Sequence, residues 1–588
     1  MIKLFKNFKV KDYVVIFISV ILIFMQVWLD LKMPDYMSEI TILVKTEGSK
    51  MADILKNGGY MLGCAFGSLV SSFFVGYLIA NLSASFSLTL RKKLFDKVLS
   101  LSLNEVNSFS TSSLITRTTN DITQIEMFIG MGLQMLIKAP ITAIWAVTKI
   151  LNKSFVWSGL TAVAVIVLLS VVISLIAIVM PKFKIVQKLI DKLNSVTREN
   201  LNGIRVIRAF NAEEFQENKF ENVNNKLTNQ QLFNQKAFAI MSPMMYLVMN
   251  GLALSIYFVG AKMIDGALMA DKITLFGDMV VFSSYAMQVI MSFLMLAMIF
   301  MILPRASVSA SRINEVLDTD SSIVNGNLKA IRTNEVGTVE FKNVSFKYPD
   351  AEEYILNNIS FKANQGEVVA FIGSTGSGKS TLVNLVPRFY DATSGEVIID
   401  GVNIKEYDLE TLYNKISYVP QKAVLFNGTV KSNITYGKSL NNISDEDIVS
   451  ASKVAQAYEF ISKMDDKFDS HIASGGTNIS GGQKQRLSIA RAIARKPEIY
   501  IFDDSFSALD YKTDSDLRRA LKKHTKNATC LIVAQRIGTI MHADKIIVLD
   551  NGKCVGIGTH KELLKSCKVY KEIALSQLSE EELDNASK

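Results

Sequence analysis

The chain has 588 residues, 49% of them hydrophobic and 20% charged, with a net charge of +9. At about 150 residues per domain it has room for three or four domains. A charged fraction below the ~25% of soluble globular proteins argues against a wholly soluble chain. The apolar content argues against disorder, and 4 cysteines without a CxxC pair argue against a disulfide scaffold or a zinc framework.

In chain order, Lys3, Lys6, Lys9 and Lys11 precede the first run free of acidic and basic residues, 13–29. Arg91, Lys92 and Lys93 follow the second, 57–90. This placement is the positive-inside pattern of a protein in a lipid bilayer. No basic run is interleaved with aromatics, so no nucleic-acid partner is expected. Further apolar runs cover 127–148, 154–180, 237–261 and 279–304, and a helix needs about 20 apolar residues to cross the hydrocarbon core. Six spans return the chain to the cytosol. Residues 91–126 and 181–236 then read as long cytosolic helices, with apolar spacing at Leu94, Val98 and Leu101 and at Ile204 and Ile207. Lys138 interrupts the third run, and such a lysine must snorkel, pair, or face a wet cavity.

After Pro304 the composition turns polar. The expected architecture is an α-helical membrane domain with six transmembrane helices, 1–318, fused through a linker, 319–336, to an α/β P-loop NTPase cassette, 337–575, with an acidic tail, 576–588. The sharpest signal in the cassette is Gly373-Ser374-Thr375-Gly376-Ser377-Gly378-Lys379-Ser380, which fits G-x-x-x-x-G-K-[ST]. A strand, 367–372, is expected before it and a helix, 380–386, after it. Glycines let backbone N–H groups curl around phosphates, Lys379 reaches the outer phosphates, and the Ser380 hydroxyl reaches Mg²⁺. Residues 499–502 read as a core strand ending in Asp503 and Asp504, at the edge where open α/β sheets bind ligands. Asp503 is the carboxylate expected to hold the Mg²⁺ shell.

With Asn478-Ile479-Ser480-Gly481-Gly482-Gln483 ahead of that strand, the chain resembles the ATP-binding cassette transporters over nearly its whole length. Ser480, Gly481, Gly482 and Gln483 match the family's signature motif. Tyr348 matches its adenine-stacking aromatic, Gln421 its Q-loop, and Ser507-Ala508-Leu509-Asp510 its D-loop. Residues 199–210 and 114–121 look like the cytosolic loops of the exporter branch. The resemblance implies a type IV half-exporter working as a dimer at the cell membrane with its cassette in the cytosol. It implies ATP bound by the phosphate loop, including Thr381, with Mg²⁺ held by Ser380, Gln421 and Asp503. Each ATP would be sandwiched against the other chain's signature.

Two positions depart from the family pattern. The family places Glu after the Walker aspartate, and this chain has Asp504. The side chain is one methylene shorter, about 1.5 Å less reach. The family's switch histidine is here Gln535, which carries no positive charge. His471, His524, His542 and His560 all lie elsewhere. Ser474 stands near a position where the family has an acidic residue. Asp504 and Gln535 fall in the same composite site, while the signature is intact. The expectation is therefore the degenerate half of a heterodimer, with a second, non-identical half-transporter as partner. A homodimer with two slow sites and an ATP-gated channel or regulatory subunit are the alternatives. Met and Phe residues in the spans, such as Met241, Met245, Met291, Met295 and Phe293, suit a small amphipathic substrate, multidrug or lipid-like, although packing is their commoner role.

Overall fold

The computed structural model describes residues 2–46, 48–151, 154–329, 335–349, 351–437 and 442–578. Of the acidic tail expected at 576–588, residues 579–588 lie outside them. The chain divides into two compact units, Met1–Leu99 with Ser112–Thr319, and Ser100–Thr111 with Asp320–Lys588.

Among the described residues, the first unit has six helices long and apolar enough to cross a membrane: Val10–Lys45, Met51–Ser100, Thr111–Leu151, Phe155–Asn202, Glu213–Asp265 and Asp271–Asp318. Each contains one of the six apolar runs and continues past it. The extensions are rich in Lys, Glu, Asn and Leu, and the helices run on through Pro34 and Pro181. Met51–Ser100 has 50 residues. At 1.5 Å per residue that is about 75 Å, more than twice the ~30 Å hydrocarbon core. The surplus length must stand in water. Ile23, Val27 and Leu31 recur four residues apart on the first span and are all buried. They join a core around Trp157, Phe282 and Tyr285, with the Trp157 and Phe282 rings 5.3 Å apart. The third span contains two π-helical stretches, Arg117–Asp121 and Phe128–Gly132. Pro34 lies inside the first helix, where it removes one backbone donor from the ladder.

The second unit is built on strands β1 (Val339–Phe346), β2 (Leu356–Ala363), β3 (Val368–Gly373), β4 (Ser394–Ile399), β5 (Val402–Asn403), β6 (Ile416–Val419), β7 (Gly428–Thr429), β8 (His471–Ile472), β9 (Ile499–Asp503), β10 (Thr529–Val533), β11 (Lys545–Asp550) and β12 (Lys553–Gly558). One sheet is antiparallel, in the order β2-β1-β4-β5; the larger runs β12-β11-β3-β10-β9-β6. Only β12 is antiparallel in the larger sheet. All five residues of β9 are buried. Tyr500 and Phe502 pack on one face with Leu487 and Leu517, and Ile499 and Ile501 on the other with Leu382 and Leu531. A strand covered on both faces reads as an unbroken apolar run, which is why Ile499-Tyr500-Ile501-Phe502 lacks alternation.

Candidate nucleotide site

The larger sheet decides where the chemistry gathers. Val533 on β10 stands beside both Phe371 on β3 and Asp503 on β9, and Val419 on β6 stands beside Phe502. The strands are parallel, so the segments that follow them emerge at one edge. Those segments carry Gly373, Gln421, Asp504 and Gln535, residues widely separated in sequence.

The phosphate loop runs from the end of β3 into the helix Lys379–Leu385. Ser374, Thr375 and Gly376 are exposed at its tip, and Ser377 is buried. Gly378 has φ of +92°, and a Cβ there would lie 2.7 Å from Leu356 Cδ2 and 3.0 Å from the Ile355 carbonyl oxygen. Any side chain at 378 meets both strain and collision. Lys379 Nζ folds back onto the loop, donating to the Gly373 carbonyl at 2.9 Å and the Ser374 carbonyl at 2.7 Å. Burial lowers the Lys379 pKa, against the opposing pull of Asp504 and Asp503.

Asp503 and Asp504 are both buried. Ser380 Oγ donates to Asp503 Oδ1 at 2.7 Å and Tyr418 OH to Oδ2 at 3.2 Å. Burial pushes the Asp503 carboxyl above the ordinary carboxylate range, and the charge of Asp504 adds to this; the hydrogen bonds from Ser380 and Tyr418 work the other way. A serine hydroxyl and a carboxylate 2.7 Å apart are hard oxygen donors, the set that suits Mg²⁺. Asp504 adopts a left-handed backbone, φ 46°. Its Oδ2 accepts from the Gln421 amide at 3.2 Å and from the Gln535 amide at 2.7 Å. The two departures from the family pattern therefore touch each other.

Tyr348 OH lies 3.2 Å from Thr381 Oγ1, and its ring meets that of Tyr390 edge-on at 5.3 Å. Ser480 caps the helix Gly481–Ala494: its hydroxyl accepts from the Gln483 N–H at 3.3 Å, and Gln483 Oε1 accepts from the Ser480 N–H at 2.9 Å. A Cβ on Gly482 would stand 3.4 Å from the Ala508 carbonyl oxygen. The structure thus gathers Lys379, Ser380, Gln421, Asp503, Asp504 and Gln535 into one set. Ser480–Gln483 bond to one another and to the next turn of their own helix, where Lys484 N–H donates to the Ser480 carbonyl and Arg486 Nε to the Gly482 carbonyl, and Gly482 faces the 508–509 turn. Tyr418 is the site residue that sequence reasoning missed. Its signal is its place on β6, directly opposite Ile501 on β9.

Residues 16–293 match the model of the ABC transporter transmembrane region, and residues 356–507 match that of the ABC transporter. An uncharacterised ABC transporter ATP-binding protein of Mycobacterium tuberculosis is 37% identical over 547 residues, covering 92% of this chain and 93% of its own. This chain belongs to the ATP-binding cassette transporters. The uncharacterised ABC transporter ATP-binding protein YfiB of Bacillus subtilis is 36% identical, over 89% of this chain and 90% of its own. An ATP-dependent lipid A-core flippase of Pseudomonas syringae is 33% identical, over 87% and 84%. In fold the chain is similar to a bacterial Atm1-family ABC exporter solved with ATP bound, with a TM-score of 0.81 over 96% of this chain and 98% of that one. The transporter is an ATP-driven exporter whose ATPase is coupled to transport. It is a multi-pass membrane protein with its cassette on the cytosolic side.

Proposed function

We propose that this transporter is one half of a heterodimeric exporter, and that its own Walker side holds ATP but turns it over slowly. The observation that carries the reading is the double hold on Asp504: one carboxylate oxygen accepts both the Gln421 and the Gln535 amides. A carboxylate so engaged, and one methylene short, is poorly placed to polarise water. A misplacement of about 1 Å costs on the order of 100-fold in rate. Gln535 supplies a neutral N–H where the family supplies a histidine, so the γ-phosphate meets less positive charge.

Binding is a separate matter. Tyr348 stacks the adenine, and the N–H groups of Gly373, Ser374, Thr375, Gly376, Ser377 and Gly378 face the phosphates. Lys379 releases the loop carbonyls to meet the outer phosphates, and Thr381 stands behind it in the helix. Ser380, Gln421 and Asp503 are the residues that would hold Mg²⁺. When bound, Mg²⁺ neutralises charge between the β- and γ-phosphate oxygens. Ser480, Gly481, Gly482 and Gln483 offer a helix N-terminus to the ATP on the partner's Walker side, where hydrolysis resets the transporter. The membrane domain is read as 1–318, the linker as 319–336, the cassette as 337–575 and the tail as 576–588. The substrate is read as a small amphipathic or hydrophobic molecule, lipid-like or drug-like. The kinship with a lipid A-core flippase supports the lipid-like end of that range.

The test is ATP turnover by this chain purified alone, before and after Asp504→Glu with Gln535→His. Slow turnover that rises by about 100-fold in the double variant is expected. Brisk turnover by the unaltered chain in a symmetric dimer would overturn the reading in favour of a homodimer. Ionic current without uphill transport in reconstituted bilayers would favour a channel.

A further inference from the structure

A separate ionic feature lies inside the membrane domain. Asp30, on the first span, stands 3.7 Å from Lys138 of the third. Ser68 of the second span donates to Asp30 Oδ1. Asp30 lies beside Pro34, which has no N–H to return to the Asp30 carbonyl four residues back. That vacated carbonyl accepts instead from Gln288 Nε2 of the sixth span at 3.4 Å. That bond uses one of the two Gln288 amide hydrogens, and the Gln288 Oε1 is buried without a partner.

Asp30 and Gln288 line a cavity of about 320 Å³ whose other walls include Met33, Met37, Met61 and Val281. The size falls in the range of small-molecule sites, about 300–1,000 Å³. Its polar lining is the Asp30 carboxylate, the Ser284 hydroxyl and the Gln288 amide, and of these only the carboxylate carries charge. Lys138 balances the charge of Asp30, but 3.7 Å is beyond hydrogen-bonding distance, so Asp30 Oδ2 keeps capacity for a donor. Flexible, polarisable methionines form the apolar side. Asp30 directly follows the apolar run 13–29, and a carboxylate at the end of a span is costly unless it meets a cation or a wet pathway.

We propose that this cavity binds a hydrophobic cation, an amine or onium group held at Asp30 with its apolar body on the three methionines, and that Lys138 is the resident cation it displaces. The proposal rests on the reading of the substrate as amphipathic and narrows it to positive charge. Gln288 Oε1 is the second acceptor when the cation carries an N–H.

The test uses two ions of one shape and opposite charge, tetraphenylphosphonium and tetraphenylborate, titrated by calorimetry into the full-length transporter in lipid nanodiscs. The phosphonium should bind and the borate should not. Asp30→Asn should weaken phosphonium binding by about tenfold or more, the range of a lost charge-assisted contact. Asp30→Glu should restore most of it, and Lys138→Met should tighten it, since the competing cation is gone. A misfolded variant weakens binding, so loss in one variant and gain in the other cannot both come from damage. Phosphonium binding unchanged by Asp30→Asn, equal binding of the borate, or no gain in Lys138→Met would each overturn the proposal. Asp30-dependent binding without ATP-driven phosphonium uptake into vesicles would leave the site standing and remove the substrate reading. Uptake that ignores Asp30 would do the reverse.

Discussion

At the scale of single residues, the cassette concentrates its cost at Asp503. Burial holds this carboxyl above the ordinary range, so the folded protein binds the proton more tightly than the unfolded chain does. That contribution is present in full below the ordinary carboxylate pKa and is lost as pH rises through the raised native value. At neutral pH the ionised group therefore costs stability while no cation compensates it. Asp503→Asn is expected to raise the melting temperature of nucleotide-free transporter at neutral pH. The gain should vanish in acid, where both forms are neutral, and Mg²⁺-ATP should no longer raise the melting temperature further. Melting curves across pH check this, and an unchanged or lowered midpoint at neutral pH would contradict it. Tyr418 shows why a residue-level reading stops short. Its partner Asp503 is 85 positions away, and nothing in Tyr418-Val419-Pro420-Gln421 marks the hydroxyl as a ligand of that carboxylate. Lys138 is legible as a charge inside an apolar run and Asp30 as the residue that ends one, but their pairing depends on which spans are neighbours.

At the scale of elements, β9 and the signature helix carry separable loads. Phe502 is wholly buried against Phe506, with ring centroids 5.4 Å apart, on a strand that also delivers Asp503. Phe502→Ala should cost about 3–5 kcal/mol and move the carboxylate with it, read as a lower unfolding midpoint together with weaker nucleotide binding. Ser480→Ala removes a hydrogen-bonded cap and should cost only about 1 kcal/mol. Its larger effect should fall on ATP turnover at the partner's Walker side, which steady-state kinetics of the assembled transporter would measure. If Ser480→Ala lowered stability without touching that turnover, the signature would be a cap and nothing more. These two elements are plain in sequence because each announces itself locally, one as an apolar run ending in carboxylates and the other as a capping serine before glycines. The helices of the membrane domain are less so. Charge-free runs locate the apolar part of each span, but the first run, 13–29, lies inside a helix of 36 residues. Lys and Glu continue a helix in water as readily as Leu does in lipid, so hydropathy marks the membrane and not the helix ends.

At the scale of the whole molecule, the proposed reading gives one chain a sound signature and an impaired Walker side that do not serve the same ATP. On that reading the molecule needs a companion whose defects are the complement of its own. The fold is legible from the six runs and the phosphate loop because those signals are dense and local. The pairing of Asp504 with Gln421 and Gln535 is not, because three parallel strands must first bring their ends together. The most direct measurement is ATP-driven transport in vesicles holding this chain with its partner, before and after the partner's catalytic glutamate is replaced by glutamine. On the proposed reading transport falls to background, because Asp504 does not take over the work. Transport that continues undiminished would mean that this chain's own Walker side drives the cycle.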